Sequence, residues 1–310
     1  MPEQKKILFT GLAAAGKTSI LRALDQDFIG MHQLTPTKGV EHSKIRIFGV
    51  DIFRWDLGGQ DIYREKYLED KERYFSGTNL IIYVIDIQEE DTKPNLEYLT
   101  EVFSALQEVS VSPIIAVFFH KYDPRILLTS PVHRERMVTY IEEIDGMKGD
   151  MQVWYYPTSI YDLPSLVTSF SHVFLQIFPQ QELLAKTLSE IRVNMNTPAL
   201  AVADTSPFII AKDCASDIEE ETVKEFERRL LGMTRQFKGK TSSTISWSIE
   251  PFSDTLSIVV FAFAVKSEVY VMTGLFEKDI FREDDSIRDF DGRAKEAIKS
   301  IKKILELFYA

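Results

Sequence analysis

Eight residues near the N-terminus, Gly11-Leu12-Ala13-Ala14-Ala15-Gly16-Lys17-Thr18, constrain this chain more than anything else in it. They follow a short apolar run, residues 6–10, and precede a helical pattern over residues 17–27. Glycine, four residues, then Gly-Lys-Ser/Thr between a strand and a helix is the P-loop pattern. Successive backbone N–H groups wrap phosphate oxygens, and the helix points its positive end at the anion. Side chains there must be small, and here three are alanines. The pattern predicts phosphate contacts from Gly11, Ala13, Ala14, Ala15, Gly16, Lys17, Thr18 and Ser19. The Lys17 ammonium would bridge the outer phosphates, and the Thr18 hydroxyl would go to Mg²⁺.

The same loop announces an architecture. Apolar runs alternate with helical patterns through the first 180 residues, the signature of a mostly parallel sheet with helices on both faces. Residues 43–48 and 50–56 read as two strands joined in a hairpin. Residues 79–86 (NLIIYVID) and 113–119 (PIIAVFF) are continuously apolar, as central strands covered on both faces should be. Residues 152–156 make a sixth strand. Helices are predicted at 96–109, 134–144 and 166–177. The fold class is therefore α/β, a six-stranded P-loop domain over residues 1–180. A linker helix follows at 181–197, then a second, α+β domain over 198–310. In that second domain a strand near 208–212 precedes a helix whose stripe Val223, Phe226, Leu230, Met233 and Phe237 recurs every three or four residues. Ser216 and Glu219 have capping-box spacing before it. Three strand-like runs (244–249, 257–265, 269–273) and a final helix through Ala297, Ile301, Ile304 and Phe308 complete a β-α-β-β-β-α order. No chemical motif lies in this part.

Three more segments carry chemistry in the first domain. Trp55-Asp56-Leu57-Gly58-Gly59-Gln60 ends the third strand: Asp56 is placed to hold Mg²⁺, the Gly59 N–H to reach a γ-phosphate, and Gln60 to orient an attacking water as the catalytic residue. In the loop before the second strand, Thr37 is chosen over Thr35 as the threonine that joins the metal only when the γ-phosphate is present. The metal set is thus Thr18, Thr37 and Asp56. His120-Lys121-Tyr122-Asp123 follows PIIAVFF; a carboxylate there accepts both N–H groups on one edge of guanine, which adenine lacks. Ser159 and Ile160, after the sixth strand, would offer backbone N–H groups to guanine O6. His120, Lys121, Asp123, Ser159 and Ile160 are the guanine set.

The net charge of -11 opposes non-specific attraction to nucleic acid. The single cysteine, Cys214, permits no internal disulfide and fits a reducing, cytoplasmic compartment. The apolar run at residues 7–9 is broken by Thr10-Gly11, so a secretory signal is not expected. No stretch approaches the ~20 apolar residues that span a bilayer. Position 2 is not glycine and no cysteine lies near the C-terminus, so no direct lipid anchor is expected.

On these residues the chain resembles the Rag-type GTPases, the family that includes the yeast Gtr proteins. Gly39-Val40-Glu41-His42-Ser43 resembles the family's switch segment, Trp55-Asp56 with Gly58-Gly59-Gln60-Asp61 its second switch, and His120-Lys121-Tyr122-Asp123 its guanine motif with His in place of the usual Asn. Thr158-Ser159-Ile160 resembles its last guanine loop, and the C-terminal element order is similar to its roadblock-like domain. The resemblance implies GTP and Mg²⁺ binding and slow hydrolysis to GDP and phosphate, stimulated by an activating protein because no arginine finger is evident in cis. It implies dimerisation through the C-terminal domain, with an identical copy or a paralogue. It also implies a roadblock-type scaffold, activating and exchange regulators, peripheral attachment to a membrane through partners, and signalling to the TOR kinase. The chain departs from the family in Ala13-Ala14-Ala15 and in an extension near residues 277–288. Two other readings stay open: a nucleotide-locked dimeric scaffold that does not turn over, and an Arf-like GTPase, which shares the WDxGGQ run, with an added domain. Lys121 and Asp123 disfavour an ATPase.

Overall fold

The structure, a computed structural model, describes residues 4–25, 37–47, 50–124, 131–205, 208–237 and 246–309. The chain divides into two compact units with the boundary between Ile177 and Phe178.

The first unit contains β1 (Lys5–Thr10), β2 (Val40–Ile47), β3 (Val50–Leu57), β4 (Leu80–Asp86), β5 (Ile114–His120) and β6 (Val153–Pro157) in one sheet, ordered β2-β3-β1-β4-β5-β6. β1 runs parallel to both β3 and β4, and β5 and β6 continue in parallel. β2 and β3 are neighbours at one edge, as two consecutive alternating runs predict, and the turn between them lies outside the described residues. Alternation along the strands sends side chains to two faces. Leu8, Ile81, Tyr83, Ile85, Ile115, Val117 and Phe119 pack in one cluster with Tyr98, Leu99 and Val102 of α4 (Lys93–Glu108) and Tyr140 and Ile144 of α5 (Val132–Met147). Phe9, pointing the other way, stacks on Phe170 of α6 (Leu163–Leu175) with centroids 6.4 Å apart. The continuously apolar character of β4 and β5 is the consequence of cover on both sides.

The helix behind the P-loop, α1 (Lys17–Leu24), is shorter than predicted, with Asp25 as its C-cap. Residues 26–36, including Thr35, lie outside the described residues. Two helices were not expected: α2 (Asp61–Glu69) and α3 (Lys71–Phe75). Their sequence, DIYREKYLEDKERYF, is dense in charge and shows no regular apolar stripe; Tyr67 and Phe75 are their buried residues. Tertiary contacts, not periodicity, make them helical.

The second unit contains α7 (Gln181–Asn194), β7 (Ala199–Asp204), β8 (Ile209–Cys214), α8 (Glu220–Thr234), β9 (Ser246–Pro251), β10 (Leu256–Val265), β11 (Glu268–Glu277), a 3₁₀ turn (Lys278–Phe281) and α9 (Asp284–Leu307). Its sheet is ordered β8-β7-β11-β10-β9, and every neighbouring pair is antiparallel. Four expectations change here. β7 was missed, because Ala-Leu-Ala-Val-Ala-Asp has weak strand preference and a short apolar run has no diagnostic period; all six of its residues are buried. The supposed linker, α7, packs on β7, β8 and α9 and so belongs to this unit. The capping box does not form: Glu219, not Ser216, is the N-cap of α8, and it makes no side-chain cap bond. The extension near 277–288 is the 3₁₀ turn and the first turn of α9. It closes the core through Phe281, whose ring lies 5.2 Å from Phe290 and 6.5 Å from Phe276. The expected stripe on α8 buries Phe226, Leu230 and Met233. Cys214 is a free, half-buried thiol at the end of β8, and burial pushes its pKa up.

Candidate functional site

The P-loop leaves β1 at Thr10 and enters α1 at Lys17, with Gly16 as N-cap in the left-handed region at φ 101°. A side chain there would be strained by that backbone and would also meet the His120 ring, since a Cβ would lie 2.4 Å from Cδ2. Ala14 holds φ 59°, a left-handed conformation rare outside glycine and a mark of sites where backbone geometry is over-determined. The Lys17 ammonium turns back along the loop and donates to the carbonyls of Gly11 (3.0 Å) and Leu12 (2.8 Å). Only 6% of Lys17 is exposed, and this burial lowers its pKa to about 8.

Beside it three oxygen-bearing side chains converge. Thr18 Oγ1 donates to Asp56 Oδ2 at 2.7 Å and lies 3.0 Å from Thr37 Oγ1, which reaches the same carboxylate oxygen at 3.3 Å. The other oxygen, Asp56 Oδ1, is buried with no hydrogen-bond partner. Burial raises the Asp56 pKa, against the pull of the Thr18 hydroxyl. A buried, half-satisfied carboxylate beside two hydroxyls is an all-oxygen donor set suited to a hard divalent cation such as Mg²⁺. Among the described residues, no group of three or more His, Cys, Asp and Glu is arranged for a metal.

Gly59 faces the P-loop from the end of β3. A Cβ on it would lie 2.3 Å from the Leu12 carbonyl carbon and 2.4 Å from the Ala13 nitrogen, so the two backbones touch where a side chain cannot fit. Gln60 is the N-cap of α2 and is exposed. The segment before β2 is joined to the end of β3 and to α2 through the carbonyl of Gly39, which accepts from the Gly58 N–H (2.8 Å) and the Tyr67 hydroxyl (2.7 Å). Ala13, Ala14, Gly16, Lys17, Thr18 and Ser19 on one side, Thr37, Gly59 and Gln60 on the other, and Lys121 at one end line a single cavity of about 450 Å³.

The remaining predicted residues adjoin Lys121. Asp123 accepts a short hydrogen bond from the Ser159 hydroxyl, which also accepts from the Tyr161 N–H at 3.0 Å. Ile160 sits beside Ser159 and is partly buried. Lys121, at φ 60°, pairs with Asp86 at the end of β4 at 2.5 Å. His120 is placed differently from expectation. It is 2% exposed, its Nδ1 lies 3.1 Å from Thr158 Oγ1, and its ring backs onto Gly16. It therefore braces the phosphate loop against the loop that follows β6, and it does not line the cavity. Asp86 and Tyr67 are the supporting residues that motif reading did not single out; no local pattern distinguishes them, and only the fold brings them in, while Thr158, read from sequence as part of the loop after the sixth strand, supports His120 through its side chain.

Burial lowers the His120 pKa to about 4, so the ring is neutral in the folded chain. The unfolded chain, with an ordinary histidine value near 6.5, binds the proton more tightly. Stability from this group is complete above about pH 6.5 and is lost as pH falls toward 4, by about 3 kcal/mol in all. We expect His120→Asn to flatten that part of the acid-unfolding curve relative to the parent in urea titrations between pH 7 and 4. Parallel curves for the two proteins would refute the assignment.

Residues 6–242 match the family model described as "Gtr1/RagA G protein conserved region". The chain is 26% identical to GTP-binding protein GTR1 of Saccharomyces cerevisiae over 220 residues, 70% of each protein. It is 23% identical to Ras-related GTP-binding protein A of Dictyostelium discoideum over 274 residues, 87% of this chain and 89% of that one. Similarity to ADP-ribosylation factor-like protein 3 of Chlamydomonas reinhardtii, 36% identical, is confined to 121 residues, 39% of this chain and 64% of that protein. The family match runs from β1 through the phosphate loop and past the first unit to residue 242, and this chain belongs to the Gtr1/RagA family of G proteins.

Proposed function

We propose that this chain is a GTP-binding switch that hydrolyses GTP to GDP and phosphate slowly on its own. The observation that carries the reading is the convergence of Thr18 with Thr37 and Asp56, 19 and 38 residues away in sequence, beside the Lys17 ammonium. The loop N–H groups and Lys17 bind the phosphates; Lys17 exchanges carbonyl partners for phosphate oxygens of full charge, which is the stronger bond. Thr18, Thr37 and Asp56 would hold Mg²⁺, which when bound neutralises charge on the outer phosphate oxygens. The Gly59 N–H donates to the γ-phosphate, and Gln60 orients the attacking water. Loss of the γ-phosphate removes the reason for Thr37 and Gly59 to stay, and the Gly39 carbonyl bonded to Gly58 and Tyr67 moves both segments together. Asp123 turns from Ser159 to the guanine N–H groups, and Ser159 and Ile160 offer backbone to O6. With no activating protein the rate is of order 10⁻⁴ to 10⁻² per second.

The C-terminal unit supports pairing with a second copy or a paralogue. β9 bonds only to β10 among the described residues, leaving a strand edge open. Attachment to a roadblock-type scaffold, and through it to a membrane, fits a chain in which no described helix is long and apolar enough to cross one. Sedimentation of the full chain at micromolar concentration tests self-pairing; a monomer throughout would exclude the identical-copy form.

The test of the central reading is competition of GTP against ATP on the purified protein with magnesium, followed by phosphate release over several turnovers. Equal binding of ATP would sink the guanine assignment. Tight GTP binding with no release would favour the nucleotide-locked scaffold.

A further inference from the structure

Arg64 is the fourth residue after Gln60, and its backbone N–H bonds the Gln60 carbonyl at 3.1 Å in the first turn of α2. Its side chain pairs with Asp61, which is 84% exposed, through Nη2, yet only 19% of the Arg64 side chain is exposed. The guanidinium turns inward and lies 4.7 Å from the centre of the Tyr98 ring on α4. Its Nε is buried without a hydrogen-bond partner. The Tyr98 hydroxyl in turn bonds Thr10 Oγ1 at 2.9 Å, and Thr10 immediately precedes the phosphate loop. A helical i, i+3 ion pair to an exposed carboxylate is worth little by itself. The orientation it takes keeps that pair and adds a cation–π contact with Tyr98. It also brings a second positive charge within electrostatic range of Lys17, where it opposes the charge on that ammonium. Binding of a polyanion beside Lys17 offsets that repulsion and so favours the observed pose.

We propose that Arg64 is a positioning residue for hydrolysis: through Tyr98 and Thr10 it pins the first turn of α2 to the root of the phosphate loop and thereby holds Gln60 at the γ-phosphate end of the cavity. This rests on the hydrolytic reading above. Arg64 itself does not touch the phosphates; its effect passes through Gln60.

The test compares the full-length parent with Arg64→Ala, Gln60→Leu and the double variant in single-turnover phosphate release, with nucleotide affinities measured alongside. We expect Arg64→Ala to slow release about tenfold while the Kd values for GTP and GDP stay within about twofold. The double variant should be no slower than Gln60→Leu alone, because the pin has nothing left to position. Tyr98→Phe, which keeps the ring and loses the bond to Thr10, should slow release to an intermediate degree. A parent rate in Arg64→Ala, additive losses in the double variant, or an equal fall in nucleotide affinity would each overturn the proposal. Hydrogen exchange of residues 58–69 in protein loaded with a non-hydrolysable GTP analogue separates this from the hydrolytic reading. If the parent never releases phosphate, that reading fails, while unchanged exchange in Arg64→Ala would still refute the pin and faster exchange would support it.

Discussion

Replacing Lys17 with alanine weakens binding of both GTP and GDP by roughly a hundredfold to a few thousandfold, the cost of about 3–5 kcal/mol for removing one partner of a buried charge pair. Lys17 is 6% exposed, so water cannot take over its role, and its present partners are two uncharged carbonyls that a phosphate readily outcompetes. The parent should also show a pH dependence of defined sign. Burial lowers the Lys17 pKa to about 8 in the empty site. Binding of a polyanion favours the ammonium and raises that value again, so binding takes up a proton above about pH 8. Affinity should be level below that pH and fall by up to tenfold per unit above it. Calorimetric titration of GDP at pH 7, 8 and 9 measures this directly. A slope of opposite sign, or Lys17→Ala at parent affinity, would remove Lys17 from the phosphate site.

The second large effect is expected at Gly59. Gly59→Ala should slow hydrolysis about a hundredfold or more, the scale of losing one donor aimed at developing charge, while GDP affinity changes little. The reason is steric and local. A Cβ would lie 2.3 to 2.4 Å from the backbone of Leu12 and Ala13, and neither atom belongs to a flexible side chain that could swing away. Residue 59 must therefore retreat from the phosphate loop, taking its N–H out of reach and carrying Gln60 with it. GDP has no γ-phosphate to miss that donor. Phosphate release and GDP dissociation measured on the same preparation decide the matter. A variant that hydrolyses at the parent rate would mean that Gly59 does not approach the phosphate during turnover.

Both expectations come from residues that motif spacing had already marked, and the structure brings most of the marked set to one cavity. Thr37 against Thr18 and Asp56, and Gln60 at the head of α2, lie where a strand-loop-helix scaffold would put them. His120 is the instructive exception. Its place beside Lys121 and Asp123 suggests a base contact, yet side chains of consecutive residues leaving a strand point in different directions, and this one enters the core. The helices α2 and α3 escaped notice because a charged, tyrosine-rich stretch has no apolar period. β7 escaped because buried alanines say little about strand or helix. The capping box at Ser216 and Glu219 had correct spacing and did not form, since spacing alone does not choose where a helix begins.

Sequence alone determined the chemistry available to this protein: a loop of small residues that exposes its amides, one lysine, two threonines, a carboxylate and a glutamine at fixed offsets, and two apolar strands that had to lie at the centre of a sheet. These are properties of short stretches, legible because backbone geometry and side-chain type act locally. Only the tertiary structure decided which of those groups meet. It made His120 a brace and Arg64 an inward cation, and it drew α7 into the second unit. Those outcomes depend on burial and on contacts between distant segments, and the free energy of desolvation that governs them is set by neighbours a linear reading does not reveal.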